Sequence, residues 1–241
     1  LFSSANMNLV KTSDALAIVV RNFTNDVLDA TFGPADPVGD AQTVASELLL
    51  SDLVLVETRL ERIHADHKRG KKTAQTQAEE VVLTVLHEAL NNDTPVRDVE
   101  LKPDQHKLIS GFQFLTAKPV MVVVNSSEEN YGDNAPVMSA LNESFTTIEF
   151  AGNFEMELSA LDDEEAAAFM EDLGISGSAR SRLTTLAYEF LGLISFFTVG
   201  PDEVRAWTIR RGETAVEAAG TIHSDLARGF IRAECFTYDA L

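Results

Sequence analysis

PVMVVVNSSE, residues 119–128, joins a continuous apolar run to a short polar segment. The run Pro119–Val124 is rich in β-branched side chains and has no polar alternation. That pattern predicts a strand buried on both faces of a parallel sheet. Asn125-Ser126-Ser127-Glu128 follows at once, and open parallel sheets bind ligands beyond the carboxyl ends of their strands. Upstream, Asp14–Arg21 (DALAIVVR) contains a second such run, Leu16–Val20, also expected to be buried on both faces. Downstream, Thr146–Phe150 (TTIEF) is a third strand, with a helix over Ala135–Leu141 in between. Asp162–Leu173 and Arg180–Leu191 carry apolar residues at helical spacing. Strands alternating with helices imply an α/β domain with a mostly parallel sheet.

The region between the first two strands shows no strand signal from Asp36 to about Leu90. Asp36-Pro37 suits a helix start, the carboxylate as cap and the proline in the first turn. Leu49, Leu53, Val56, Leu60 and Ile63 form one heptad seam; Ala78, Val82, Val85 and Ala89 form another. Gly70 lies between them in Lys68-Arg69-Gly70-Lys71-Lys72. The expected structure is an antiparallel helical hairpin, its arm Val44–His67 about 36 Å long at ~1.5 Å per residue. The last fifty residues read differently. Glu203–Ile209 is strand-like, Arg211-Gly212 a turn, and Thr214–Glu217 a capping box opening a helix to about His223. Arg228-Gly229 is another turn, and Phe230–Tyr238 a further strand.

Composition narrows the function classes. At 241 residues, 45% hydrophobic, the chain can fill a packed core as one large domain or two small ones. No apolar run is long enough to span a bilayer and no signal peptide opens the sequence, so no membrane partner and a cytoplasmic location are expected. The lone Cys235 cannot form an internal disulfide, which suits a reducing compartment; it is expected in a buried strand. A net charge of −19 repels polyanions, so nucleic acid could bind only at a local basic patch. Lys68, Arg69, Lys71 and Lys72 form such a patch, at the hairpin tip. Arg205, Arg210, Arg211, Arg228 and Arg232, with Trp207 and Phe230, supply cations and aromatics suited to RNA, although a strand tryptophan is more often core. His64 and His67 lack a third metal ligand and read as a surface pair. Asp162-Asp163-Glu164-Glu165 reads as a helix start rather than a metal site.

Asn125-Ser126-Ser127-Glu128 carries the most chemistry. Guanine-specific P-loop proteins place Asn-Lys-x-Asp here, the Asp taking two donors from guanine. In this chain the lysine is Ser126 and the aspartate Glu128. Adenine presents an acceptor where guanine presents a donor, so a carboxylate gains nothing there. Asn125 can still pair with adenine N6 and N7. Phe150-Ala151-Gly152-Asn153 ends the next strand in a small-residue turn that could lay backbone N–H groups against a base. A polar or small-residue turn after a strand is the plain alternative for both.

"DALAIVVRNF", "DPVGDAQTVASELLLSDL", "FLTAKPVMVVVNSSEENY" and "GLISFFTVGPDEVRAWTIRRGETAVEAAGTIHSDLARGFIRAE" together resemble successive blocks of the YchF/Obg-like ATPases, over essentially the whole chain. The resemblance implies a P-loop NTPase-like nucleotide-binding domain over 1–40 and 97–192, an inserted coiled-coil hairpin over 41–96, and a β-grasp, ubiquitin-like TGS module over 193–241. It also implies NxxE in place of NKxD, with base contacts at Asn125, Ser126, Glu128, Ala151 and Gly152. Further implications are use of ATP as well as or better than GTP with Mg²⁺, and ribosome or ribosomal-RNA contact, for which Lys68, Arg69, Lys71, Lys72, Arg210 and Arg211 are the candidates. A monomer is expected. The sequence departs from the family pattern at three places. No G-x-x-x-x-G-K-[ST] occurs, so the triphosphate grip and the metal ligands are expected upstream of Leu1, no catalytic residue is assigned, and the chain by itself is expected to be inactive. Asp36-Pro37-Val38-Gly39 matches D-x-x-G by letters only. Ser126 is smaller than the apolar residue usual there, and further TGS strands are expected beyond Leu241. The alternative is a nucleotide-independent RNA- or ribosome-binding adaptor; a Rossmann-like enzyme lacks its G-x-G-x-x-G turn.

Overall fold

The computed structural model describes residues 4–172, 177–200 and 202–237. The chain forms two compact units, Leu1–Ser178 and Ala179–Leu241. Elements of the first unit are α1 Ser4–Thr12, β1 Leu16–Asn22, α2 Asp26–Phe32, α3 Pro37–Lys68, α4 Ala74–Asn91, α5 Pro103–Ile109, β2 Val120–Ser126, α6 Ala135–Asn142, β3 Thr146–Ala151, α7 Gly152–Leu158 and α8 Asp163–Asp172. The second contains α9 Ala179–Phe190, β4 Leu193–Val199, β5 Val204–Arg210, α10 Ala215–Ile222 and α11 Ser224–Arg228. Leu173, the expected last residue of α8, lies outside the described residues.

The three expected strands form one parallel sheet in the order β1-β2-β3. Val120–Val124 is buried throughout, as its unbroken apolar run requires of a central strand. β1 departs from expectation: Ile18 and Val20 are buried, but Ala17 is exposed and Val19 is 67% exposed. The cause is its place at the edge of the described sheet. One of its faces meets Ala41, Leu48 and Leu141 from the helices, and no described residue buries the other.

The 32-residue α3 belongs to two cores. Asp36 caps it, accepting the Gly39 N–H at 3.0 Å. A Cβ on Gly39 would lie 2.2 Å from Asp36 Oδ2, so the cap accounts for the D-x-x-G letters. Ala41 and Leu48 pack on the sheet; Val56 and Ile63 pack with Val82, Leu83, Leu86 and Leu90 of α4. Glu57–His87, His64–Glu80 and His67–Thr76 pair in opposite chain directions, so α3 and α4 run antiparallel as a hairpin. The first predicted seam lies in this core. The second is displaced: Glu79, Val82, Leu83, Leu86 and Leu90 face inward, while Ala78 is exposed and Val85 is 43% exposed. The rotation buries leucines where the expected register buried alanine, and larger apolar area removed from water wins.

Asp52 sits where α3 leaves the sheet. It is buried and accepts the Leu115 N–H (2.9 Å), the Thr116 N–H (2.7 Å) and the Thr116 hydroxyl (2.7 Å). Burial pushes its carboxyl above the ordinary aspartate value, against the lowering effect of those donors. The contact anchors the chain just before β2 and so fixes where that strand's carboxyl end arrives.

In the second unit β4 and β5 pair antiparallel, Leu193 opposite Arg210 and Val199 opposite Val204. Strand β4 was not anticipated; LISFFTV follows helix α9 with only Leu191 and Gly192 between. Helix α9 lies in this unit, which begins at Ala179. The capping box is present: Glu217 Oε2 accepts the Thr214 N–H at 2.7 Å, and Thr214 Oγ1 accepts the Glu217 N–H at 3.4 Å. The strand expected over 230–238 does not form across 230–237, and residue 238 lies outside the described residues. A strand needs a neighbour to take its backbone hydrogen bonds, and no described strand pairs with this stretch. Cys235, expected in that strand, is exposed.

Candidate base-binding site

Strands β2 and β3 end side by side, Asn125 opposite Phe150 and Ser126 opposite Ala151. Period-two alternation sends the Asn125 and Ser126 side chains to opposite faces, and their surroundings differ accordingly. Asn125 Oδ1 accepts the Gly152 N–H at 3.0 Å, linking the end of β2 to the first residue of α7. A Cβ at Gly152 would lie 2.7 Å from that oxygen, so the approach requires glycine. The bond also fixes which way the amide points, since only the oxygen can accept from an N–H. Asn125 Nδ2 has no partner among the described residues, leaving two donors available at the carboxyl edge of the sheet.

Ser126 is the principal correction. It was expected beside the base, but it is 3% exposed and its hydroxyl lies in an internal network. Ser126 Oγ donates to Glu149 Oε1 at 2.5 Å and accepts from Asn22 Nδ2 at 2.9 Å and Asn134 Nδ2 at 3.2 Å. Asn134 Nδ2 also reaches Glu149 Oε1 at 2.5 Å, and the Gly132 N–H reaches Glu149 Oε2 at 3.3 Å. Buried polar groups must be paired, and here they pair with one another. The result ties the ends of all three strands to the turn after β2, on which exposed Glu128 stands. Ala151 is likewise buried, packing with Phe154 and Leu158, and the Gly152 N–H expected to meet a base serves Asn125 instead.

The cationic residues are where the sequence put them. Lys68 ends α3 and Arg69, Lys71 and Lys72 follow before α4; all four are exposed, with Gly70 at φ +78° making the turn. His64 and His67 both face Glu80 across the hairpin, at 2.9 and 3.4 Å. Among the described residues no group of three or more His, Cys, Asp or Glu could hold a metal ion. Arg210 and Arg211 are exposed at the end of β5 and the turn that follows. Trp207 is half-buried, donating Nε1–H to Thr198 Oγ1 at 2.9 Å with the Arg205 guanidinium 4.4 Å above its ring. That aromatic–cation pair is satisfied within the β4–β5 hairpin.

A family model described as "YchF-GTPase_C: Protein of unknown function (DUF933)" matches residues 193–241. The chain is 38% identical over 239 residues to the ribosome-binding ATPase YchF of Bacillus subtilis (strain 168), covering 96% of itself and 65% of that protein. It is 36% identical to the protein of the same name from Haemophilus ducreyi, covering 95% of itself and 64% of that protein. The chain is therefore similar to YchF proteins over nearly the whole of its own length. A solved structure, that of the Schizosaccharomyces pombe YchF GTPase, superposes with a TM-score of 0.81 at 31% identity, covering 95% of this chain and 64% of that one. The chain thus spans just under two thirds of the length of these YchF relatives.

Proposed function

We propose that this chain carries the purine-recognition part of a ribosome-associated nucleotide hydrolase. The observation that carries the reading is Asn125: oriented by the Gly152 N–H at 3.0 Å, at the carboxyl edge of a parallel sheet, with its Nδ2 donors available. An N–H pair there suits purine N7, and the oxygen's second lone pair remains for adenine N6. Glu128 stands in place of the aspartate that would accept guanine's two donors, and its longer side chain sets the carboxylate oxygens elsewhere, so the guanine-specific contact is lost while the Asn125 pair with adenine remains and ATP is preferred over GTP. Gly152 contributes by holding the Asn125 amide in place through its backbone N–H. The relatives' names, ribosome-binding ATPase and GTPase, support a ribosome partner and nucleotide hydrolysis. The second unit fits a TGS-type β-grasp module, through its hairpin followed by a capped helix.

Nucleotide hydrolases of this class use Mg²⁺ with the triphosphate, which the metal and backbone amides stabilise as charge spreads. The described residues supply no cluster that fits the ion and the sequence has no G-x-x-x-x-G-K-[ST], so no step is derived through it. A second reading, an adaptor that binds RNA through the hairpin tip, rests on the four exposed cations there. Titration with ATP and with GTP tests the first reading. Asn125→Ala should abolish the purine preference, and GTP bound as tightly as ATP would overturn the assignment of Glu128.

A further inference from the structure

We propose that a cavity on the flank of the helical hairpin takes one unpaired nucleotide of a single-stranded RNA, its base against Phe112 and its phosphate at Arg62. This deepens the RNA-contact reading of the hairpin tip and rests on it.

The cavity, about 310 Å³, is lined by Leu55, Arg59 and Arg62 of α3, Glu79 of α4, and Gly111 and Phe112 of the turn after α5. That volume lies at the lower end of small-ligand pockets, about 300–1,000 Å³. Its walls divide the work. Phe112 stacks parallel on buried Phe114, ring centroids 5.3 Å apart and 4° from coplanar, so the aromatic wall is held rigid. Arg59 donates Nε–H and Nη2–H to Glu79 at 2.6 and 2.8 Å, and that pair is locally neutral. Arg62 is exposed and has no partner among the described residues, which leaves one uncompensated cation at the mouth. An apolar and aromatic wall beside a single free guanidinium matches a nucleotide: a flat base with one negative charge attached.

Position ties this cavity to the basic tip. Arg69, the residue that caps α3, follows Arg62 by seven positions, about 10 Å along the helix axis at ~1.5 Å per residue. A strand whose phosphates meet Lys68, Arg69, Lys71 and Lys72 passes the cavity on its way along the arm. Asp66, one turn beyond Arg62 on the same side, opposes this. The electrostatic grip at the cavity is therefore partial, and the aromatic wall must supply the rest. An acidic peptide would meet Asp66 and Glu79 without the gain from stacking, so RNA is the better-matched partner.

The test is fluorescence anisotropy of the full chain with a labelled decauridylate across a salt series. Arg62→Glu should weaken binding roughly tenfold and reduce the salt slope by about one. A Cβ on Gly111 meets nothing within 4 Å, so Gly111→Leu fills the cavity while sparing the core; binding should fall about fivefold or more with the slope unchanged. Asp66→Asn should tighten binding. No decauridylate binding by the wild-type chain, or wild-type affinity in both Gly111→Leu and Phe112→Leu, would overturn the proposal. So would displacement of the oligonucleotide by poly-glutamate as effective as by unlabelled RNA, which would indicate an acidic protein partner. Reversing the tip charges separates the two readings. If only that variant binds weakly, the cavity proposal fails and the tip contact stands; if only the cavity variants do, the tip contact fails and the cavity stands.

Discussion

Replacing Gly152 by alanine should damage base recognition while leaving the fold almost intact, and the size of the effect follows from the coordinates. The new Cβ would stand 2.7 Å from Asn125 Oδ1, against an ordinary contact of at least 3.4 Å, so the amide must retreat by 3.4 − 2.7 = 0.7 Å. The Gly152 N–H bond to that oxygen is 3.0 Å, and a retreat along its line lengthens it to about 3.7 Å, beyond hydrogen-bond range. A bond of this kind contributes about 0.5–1.5 kcal/mol net. In stability that loss is offset, because alanine is favoured over glycine within a helix by roughly 0.5–1 kcal/mol and residue 152 is the first of α7. No such offset exists for binding. Once the amide turns, its N–H groups no longer address the purine edge, and about 1 kcal/mol corresponds to a loss of roughly fivefold in ATP affinity. Calorimetric titration with ATP and urea denaturation read the two quantities separately. The Asn125→Ala background supplies the decisive control: with the carboxamide gone there is nothing for Cβ to strike, so adding Gly152→Ala should change affinity no further. Additive losses in the double variant, or unchanged ATP affinity in Gly152→Ala alone, would refute the claim that Gly152 acts by orienting Asn125.

Reversing Lys68, Arg69, Lys71 and Lys72 to glutamate should abolish most ribosome co-sedimentation and flatten its salt dependence, and identical sedimentation across the salt series would remove the tip from the interface. Glu79→Gln should cost about 1–2 kcal/mol in urea denaturation, a charge-assisted pair discounted because the Arg59 side chain is 35% exposed. Asp52 gives a pH signature. Its folded carboxyl is raised above 3.8, so the folded state binds the proton more tightly than the unfolded state. Its contribution is therefore most favourable below 3.8 and is lost as pH rises through the folded value, so the stability difference between wild type and Asp52→Asn should shrink upward from about pH 4.

Strands announced themselves where one physical cause acted alone. Val120–Val124 is buried on both faces of the middle strand, and an unbroken apolar run is the direct signal of that burial. Leu16–Val20 looks the same, yet half of it faces outward, because the sequence of a strand does not state what covers each face. The second seam of the hairpin failed for a related reason. Heptad counting fixes spacing but not phase, and Ala78-Glu79 with Val85-Leu86 permits two registers one residue apart. Only the partner helix chooses between them, by placing Arg59 opposite Glu79 and burying Leu83 and Leu86.

At the candidate site the division runs between adjacent residues. The placement of Asn125 was legible because it depends on one local fact, the carboxyl end of a buried strand, and that of Gly152 because a small turn at the end of the neighbouring strand must lie close to it. Ser126 was misjudged because a serine is small enough to be claimed by either face. The claim was settled by Glu149, 23 residues away, and Asn22, 104 residues away. A sequence signal did exist: polar residues Asn22, Ser126 and Glu149 stand at or near the carboxyl ends of three successive strands, each following apolar positions. Aligned by register, these become one internal network, because buried polar atoms that cannot reach water must find one another. Glu149 and Asn134 thereby hold the turn bearing Glu128, and so set where that residue stands. Glu149→Gln keeps the volume but weakens the acceptor for Gly132 and Ser126, and the consequence should appear in the ATP-to-GTP affinity ratio, through the freed position of Glu128, before it appears in the affinity for ATP itself.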